Sequence, residues 1–352
     1  MASHHRLLAA YPRLLEQGQD AVLATVIETF GYTYQKAGTR MLIEANGRLS
    51  GLLGGGCFEA DLIEHARDVL QTGKAKTVFY DLRRPEDELW GLGAGCHGAT
   101  RIFLQRLAAA DGFRPLNSIW QAAENREDGV LATIVESKHP GYVAGETPFL
   151  PLEQARAPWP FISGVPPRRP LLRNHCMDGL DIRVFYEPLR PPTHLWVLGA
   201  GDDAQPVVDC AKLLGWKVSV ADHRPAYLTA GRFPTADALL HIRPEALNTH
   251  LKLNGFDAAL VMSHNLSHDR QYLAALAASH IAVIGLLGPM RRRERLLNSL
   301  GEVGAELAER LYGPVGLDIG AETPEEIALA IVAGIQAALK GRGGGQLGFT
   351  LA

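Results

Sequence analysis

"HLWVLGAGDDAQPVVDCAKLLGWKVSVADHRP", residues 194–225, decides the architecture of the second half of this 352-residue chain. An apolar run enters G-x-G-x-x-A, an amphipathic stretch follows, and a second apolar run ends on the acid Asp222. That is the strand, tight turn, helix and strand of a dinucleotide-type βαβ unit. Gly199 permits the turn, Gly201 lets an anion approach the backbone, and Ala204 lets the helix pack closely on the strand. Asp222 stands where such units hold a ribose hydroxyl. Asp202 and Asp203 lie at the helix start, where carboxylates favour the positive end and compete with a phosphate. The stretch therefore specifies a fold more firmly than a ligand.

Downstream, apolar runs predict strands at 217–222, 238–241, 258–262 and 282–286, and helical periods predict helices at 203–215, 244–253, 268–279 and 289–300. Such alternation builds a parallel sheet covered on both faces, here a Rossmann-like doubly wound domain over 195–340. The last helix opens at "ETPEEIALAI" (322–331), with Thr323 as cap, Pro324 in the first turn and Glu326 completing a capping box. Residues 341–352, glycine-rich, read as a mobile tail.

Two polar motifs stand out in this half. "GLLGPMRRRERLL" (285–297) brings Arg291, Arg292 and Arg293 to a helix start, which suits a phosphate by bidentate contact or is simply a solvated face. "SHNLSHD" (263–269) places His264 and His268 at the carboxyl end of a strand. Asp269 is available as a third metal ligand, but hydrogen bonding is the ordinary use of polar residues in such loops.

Upstream, "EPLRPPTH" reads as a linker, placed at 188–194, which leaves an N-terminal mixed α/β domain over 1–187. Its strands are predicted at 21–29, 41–45, 48–53, 77–81, 101–107, 130–137 and 182–188, and its helices at 3–17, 57–72 and 115–125. Residues 138–181, rich in proline, read as irregular. "AVLATVIET" (21–29) and "VLATIVES" (130–137) are near copies, either a chance likeness of core strands or two neighbouring strands of one sheet.

Apolar residues make up 47% and charged ones 21%, with a net charge of -3, which excludes a disordered chain and a basic field for nucleic acid. No run of eighteen apolar residues predicts a membrane span, and the first residues lack the pattern of a secretory signal, so a cytoplasmic protein is expected. The four cysteines include no C-x-x-C pair, so single-thiol chemistry is expected. Two of them end glycine-rich turns: "GLLGGGC" (51–57) delivers Cys57 and "GLGAGCHG" (91–98) delivers Cys96. Glycines let successive N–H groups form an anion nest, and a thiol at a helix start has its thiolate stabilised by the dipole. The other reading is a tight turn before a small buried cysteine. Cys176 and Cys210 lack that setting and read as packing residues.

With these loops the chain resembles the XdhC/CoxI family of xanthine dehydrogenase accessory proteins. The likeness is carried in order by "GTRMLIEANGRLSGLLGGGCFEADL", "WGLGAGCHG", the 194–225 stretch, "GLLGPMRRRERL" and "PVGLDIGAETPEEIALAI". It implies a cytoplasmic chaperone that binds molybdenum cofactor (molybdopterin), protects it while a cysteine desulfurase supplies sulfur, and inserts it into a molybdenum hydroxylase apoenzyme of the xanthine dehydrogenase type. On that resemblance Cys57 and Cys96 face the molybdenum. Gly54, Gly55 and Gly56 cradle the cofactor's anionic oxygen, Glu59 and Gly95 also bind cofactor in the thiol loops, and Gly199, Gly201, Asp222, His264, Arg291 and Arg292 bind it in the second domain. No catalytic residue is assigned and a homodimer is expected. The rival is an NAD(P)-dependent oxidoreductase built on the Rossmann unit, for which no general acid or base stands out in the N-terminal half.

Overall fold

The computed structural model describes residues 2–54, 58–81, 83, 98–152, 167–247 and 255–346. They form two compact units, Met1–Pro191 and Pro192–Ala352.

The first unit is built twice over. Helix α1 (Ala2–Gln17) leads into β1 (Ala21–Gly31), β2 (Arg40–Glu44), β3 (Leu49–Gly51), helix α2 (Glu59–Thr72), β4 (Lys76–Asp81) and β5 (Gly98–Leu107). Helix α3 (Leu116–Asn125) then leads into β6 (Gly129–Ser137), β7 (Phe149–Pro151), β8 (Leu171–Met177) and β9 (Leu180–Leu189). The sheets run β3-β2-β1-β5-β4 and β7-β6-β9-β8, with antiparallel neighbours throughout. Once β3 is set aside the two orders are the same. The matching sequences at 21–29 and 130–137 are therefore not neighbours in one sheet, as one reading had it; they occupy the same place in two sheets.

The correspondence reaches single residues. β1 shifts register between Val26 and Glu28, and β6 shifts between Ile134 and Glu136. Ile27 and Val135, skipped by the two ladders, pack with Phe103 and Phe185 in one buried cluster that joins the sheets. Across it, Gln105 donates to Gly145 O (3.2 Å) and Thr147 Oγ1 (3.3 Å). At the matching position Glu187 accepts from Arg40 Nη1 at 2.9 Å, and Arg40 Nη2 lies 2.6 Å from its other oxygen. Both members of that ion pair are buried. One arm of the duplicated contact is thus neutral and the other ionic.

The second unit follows the Rossmann order. Strands β10 (His194–Leu198), β11 (Lys217–Asp222), β12 (Ala238–His241), β13 (Ala258–Val261), β14 (Val283–Leu286) and β15 (Leu311–Tyr312) form one sheet, β12-β11-β10-β13-β14-β15, parallel throughout. Helices α4 (Ala204–Leu213) and α8 (Pro324–Leu339) cover one face; α5 (Leu266–Ala277), α6 (Met290–Leu300) and α7 (Glu302–Leu307) cover the other. Successive residues of β10 alternate between the two cores, Leu195 and Val197 to one, Trp196 and Leu198 to the other. The capping box at Thr323 and Glu326 is formed.

Several expectations are corrected. The proline-rich 138–181 contains β7 and β8, both edge strands, where proline and polar residues are tolerated and hide the strand pattern. Strand β9 takes in Pro188 and Leu189, so 190–193 alone separate it from β10. Helix α2 starts at Glu59 rather than 57. Cys176 is exposed on β8, whereas Cys210 packs against the core beneath α4. Of the helix expected at 244–253, the described residues open with a 3-10 turn at Pro244–Ala246 and a helical Leu247, and 248–254 lie outside the described residues.

The ion pair that joins the sheets yields a test. Arg40→Met leaves the Glu187 carboxylate buried without its guanidinium and destabilises the first unit by about 3–5 kcal/mol, read from urea unfolding. Replacing Glu187 by leucine in the same chain recovers most of that loss.

Candidate functional site

The described part of the first thiol loop is held from within. Glu59, the first residue of α2, is buried and turns its carboxylate back over the loop: Oε1 accepts the Gly54 N–H at 2.8 Å and Oε2 accepts the Phe58 N–H at 3.3 Å. A Cβ on Gly54 would sit 2.5 Å from the Phe58 ring, so only glycine allows that approach. The Phe58 ring stacks on Tyr80 at 4.5 Å between centroids, and the Tyr80 hydroxyl donates to Asp61 in the first turn of α2. Burial, then the Asp61 carboxylate, push the Tyr80 hydroxyl well above its ordinary value, so it stays a donor. Gly54 and Glu59 thus form a pin at the base of the loop, and the Gly54 N–H, expected to face an anion, already has one in Glu59. Gly55, Gly56, Cys57, Gly95 and Cys96 lie outside the described residues.

In the second unit the glycine turn is formed as expected. Gly199 has φ +128°, and a Cβ there would come 2.4 Å from Met262 O. Asp222, at the end of β11, is buried and bonded within the chain. Its Oδ2 accepts the Ala200 N–H at 2.8 Å and Arg224 Nη2 at 2.9 Å; its Oδ1 accepts the Arg224 N–H at 2.8 Å and Nε at 3.0 Å. His223 Nδ1 lies 3.1 Å from the same Oδ1, and the carboxylate is 1% exposed. Burial alone would raise its pKa, but the Arg224 bonds and the backbone N–H groups outweigh it and hold the carboxyl below its ordinary value. The Arg224 guanidinium sits 3.9 Å over the Tyr227 ring; Arg232 covers the same ring and bonds Ala200 O (3.2 Å) and Asp202 (2.7 Å). The acid that accepts a ribose hydroxyl in a dinucleotide domain thus has its oxygens taken within the chain.

The other half is open. A cavity of about 420 Å³ has apolar walls of Met262, Leu287, Pro289, Pro324, Ile327 and Ile331. Its polar lining is Asp203, His264 and Arg292, with Gly288 beside them. His264 Nε2 meets Asp203 Oδ2 at 2.7 Å, and Asp203 lies so close over Gly201 that a Cβ there would be 2.5 Å from its Oδ1. His264 holds φ +56°, a strained backbone for a residue with a Cβ. Arg292 donates through Nε (3.1 Å) and Nη2 (2.6 Å) to Asp269, which is 1% exposed and also accepts from Ser263 Oγ.

The arginine cluster therefore divides. Arg292 reaches the cavity, Arg293 bonds the carbonyls of Ala308 and Leu311, and Arg291 is exposed. His264, His268 and Asp269 do not converge: the first goes to Asp203, the second packs its ring against His223 at 4.5 Å, and the third serves Arg292. Arg224 and Arg232, which bond Asp222 and Ala200 O, were not singled out from sequence. A basic residue two positions after the acid, in "DHRP", is the signal that reveals the first.

Asp222→Asn weakens this knot and destabilises the second unit by about 1–3 kcal/mol at neutral pH, read from urea unfolding. Because the folded carboxyl is held low, its contribution is present above the ordinary carboxylate pKa and is lost as pH falls through the folded value. The gap between variant and wild type therefore closes in acid.

Comparison with known proteins agrees with this architecture. Residues 195–335 match the XdhC Rossmann domain, and residues 14–81 match the XdhC and CoxI family. The chain is 33% identical over 341 residues to a protein of Bacillus subtilis (strain 168) named as a probable xanthine dehydrogenase subunit, covering 95% of this chain and 97% of that protein. It is 22% identical over 332 residues to the molybdenum cofactor insertion chaperone PaoD of Escherichia coli (strain K12), covering 94% and 87%. The crystal structure of a xanthine dehydrogenase from Bacillus halodurans superposes with a TM-score of 0.76 at 27% identity, over 96% of each chain. With the glycine-thiol segment, the parallel sheet and end-to-end identity in agreement, the chain belongs to the XdhC and CoxI family.

Proposed function

We propose that this protein carries molybdenum cofactor and inserts it into a molybdenum hydroxylase apoenzyme. The observation that carries the reading is the alignment over 94% of the chain with a relative named as a molybdenum cofactor insertion chaperone, rather than over the Rossmann unit alone. In this account the cofactor is cargo. Cys57 and Cys96 offer soft thiolates toward its molybdenum end, where a hard oxygen donor would be a poorer match for a sulfur-rich centre. Glu59 works through the backbone: by accepting from Gly54 and Phe58 it sets the start of the thiol loop before cargo arrives, so less ordering is required on binding. Shielding during sulfuration by a cysteine desulfurase and handover as a symmetric dimer belong to the same proposal.

The rival, an NAD(P)-dependent oxidoreductase, requires a ribose acceptor at Asp222. Arg224, Ala200 and His223 already surround that carboxylate. This supports the carrier over the dehydrogenase.

Titration of the purified chain with isolated molybdenum cofactor, with retention of molybdenum followed after desalting, tests the reading. Wild type retains the metal; the Cys57→Ser, Cys96→Ser double variant binds at least about tenfold more weakly, a loss of about 1.4 kcal/mol. Glu59→Ala, with both thiols present, also loses affinity, and Glu59→Gln regains part of it through its remaining acceptor. Retention indifferent to both thiols contradicts the assignment, as does turnover of NADH.

A further inference from the structure

We propose that the cavity of the second unit is a binding site for one phosphorylated nitrogen heterocycle, of mononucleotide size, and that this Rossmann domain has given up dinucleotide binding. The inference rests on the carrier reading only for the natural occupant, which is either the phosphorylated pterin of the cargo or a nucleotide appended to it.

A dinucleotide occupies both halves of the crevice at the point where strand order reverses, here between β10 and β13. In one half the acid that would hold a ribose is already bonded to Ala200 N–H and Arg224. In the other lies a cavity of about 420 Å³, toward the lower end of the roughly 300–1,000 Å³ usual for small-molecule sites. Its volume and the missing ribose acceptor beside it select a single ring with its anion.

The lining sorts the ends of that ligand. Ile327, Ile331 and Met262 give apolar walls suited to a flat ring. Arg292 is held by Asp269 through Nε and Nη2, which leaves Nη1 of a fixed guanidinium for the cavity. Gly288, with φ +123°, is required there, because a Cβ would lie 2.6 Å from Arg292 Cδ. Three helices begin at this cavity, and they differ. α8 is closed by its own capping box, and α4 has the Asp203 carboxylate at its start. The eleven-residue α6 starts at Pro289 with no side-chain acceptor; the Arg292 N–H donates to Pro289 O at 2.8 Å, and the Met290 and Arg291 N–H groups remain for an anion beside the Arg292 side chain. Asp203, held by His264, would repel that anion and accept ring N–H groups instead. The phosphate therefore goes to Arg292 and the heterocycle points toward Asp203.

The test uses the full chain and calorimetric titration with adenosine and cytidine 5′-monophosphates, inorganic phosphate, NADH and isolated molybdenum cofactor. A nucleoside monophosphate binds more tightly than inorganic phosphate, and NADH binds no more tightly than the monophosphate. Ile327→Trp, on the partly exposed rim, fills the cavity and weakens binding at least about tenfold, about 1.4 kcal/mol, with the melting temperature little changed. Arg292→Lys, which keeps a cation for Asp269, weakens it as well. If the pterin is the occupant, the monophosphates fail and Ile327→Trp lowers affinity for the cofactor instead.

NADH binding well above the monophosphates overturns the proposal. So does a chain that binds no monophosphate and whose cofactor affinity is the same with and without Ile327→Trp; should that affinity still depend on Cys57 and Cys96, the carrier reading stands without it. Monophosphate binding sensitive to Ile327→Trp, in a chain that retains no cofactor, overturns the carrier reading and leaves the cavity assignment intact.

Discussion

The glycine turn of the second unit depends on the buried carboxylate of Asp222. By accepting from Ala200 N–H it locks the glycine turn to the end of β11, and by accepting twice from the Arg224 side chain it keeps its charge at 1% exposure. A charge so buried is tolerable only when every lone pair has a donor, and here they do. The same saturation leaves no lone pair of Asp222 for a ribose hydroxyl, and the cavity lies on the far side of the switch point, between β13, β14 and α8.

The first unit answers a different constraint. Two sheets of the same strand order must meet through matching faces, and Ile27, Phe103, Val135 and Phe185 supply that contact. Only the first copy carries the glycine-thiol segment between β3 and α2. The second copy is tied to the first sheet by the Arg40–Glu187 pair on one side and by Gln105 on the other. The described flanks of the segment, Leu53 and Phe58, pack instead in the core between the first sheet and α2.

Much of the fold was legible because its signals are local. G-x-G-x-x-A, Thr323 with Glu326, and strands with apolar residues on both faces all announce themselves within a dozen residues. What sequence reading missed is long-range or at an edge. The edge strands β7 and β8 lack the full apolar pattern, and the likeness of 21–29 to 130–137 gave no hint of separate sheets. At the site, Gly199, Asp222, His264 and Arg292 fall at the carboxyl end of the sheet as anticipated. Asp222 bonds Arg224, and His264 takes a hydrogen-bond partner in Asp203, the ordinary use of a polar residue in such a loop. Arg224 lies two residues from its acid and leaves a local signal, whereas no spacing rule encodes a partner sixty-one residues away.

The central claim is that this chain holds molybdenum cofactor by its own thiols. X-ray absorption at the molybdenum edge of the loaded protein tests it most directly. The account predicts thiolate sulfur at the metal beyond the sulfurs of the cofactor, lost when Cys57 and Cys96 are replaced by serine. Spectra that coincide for wild type and the double variant at equal loading would contradict it.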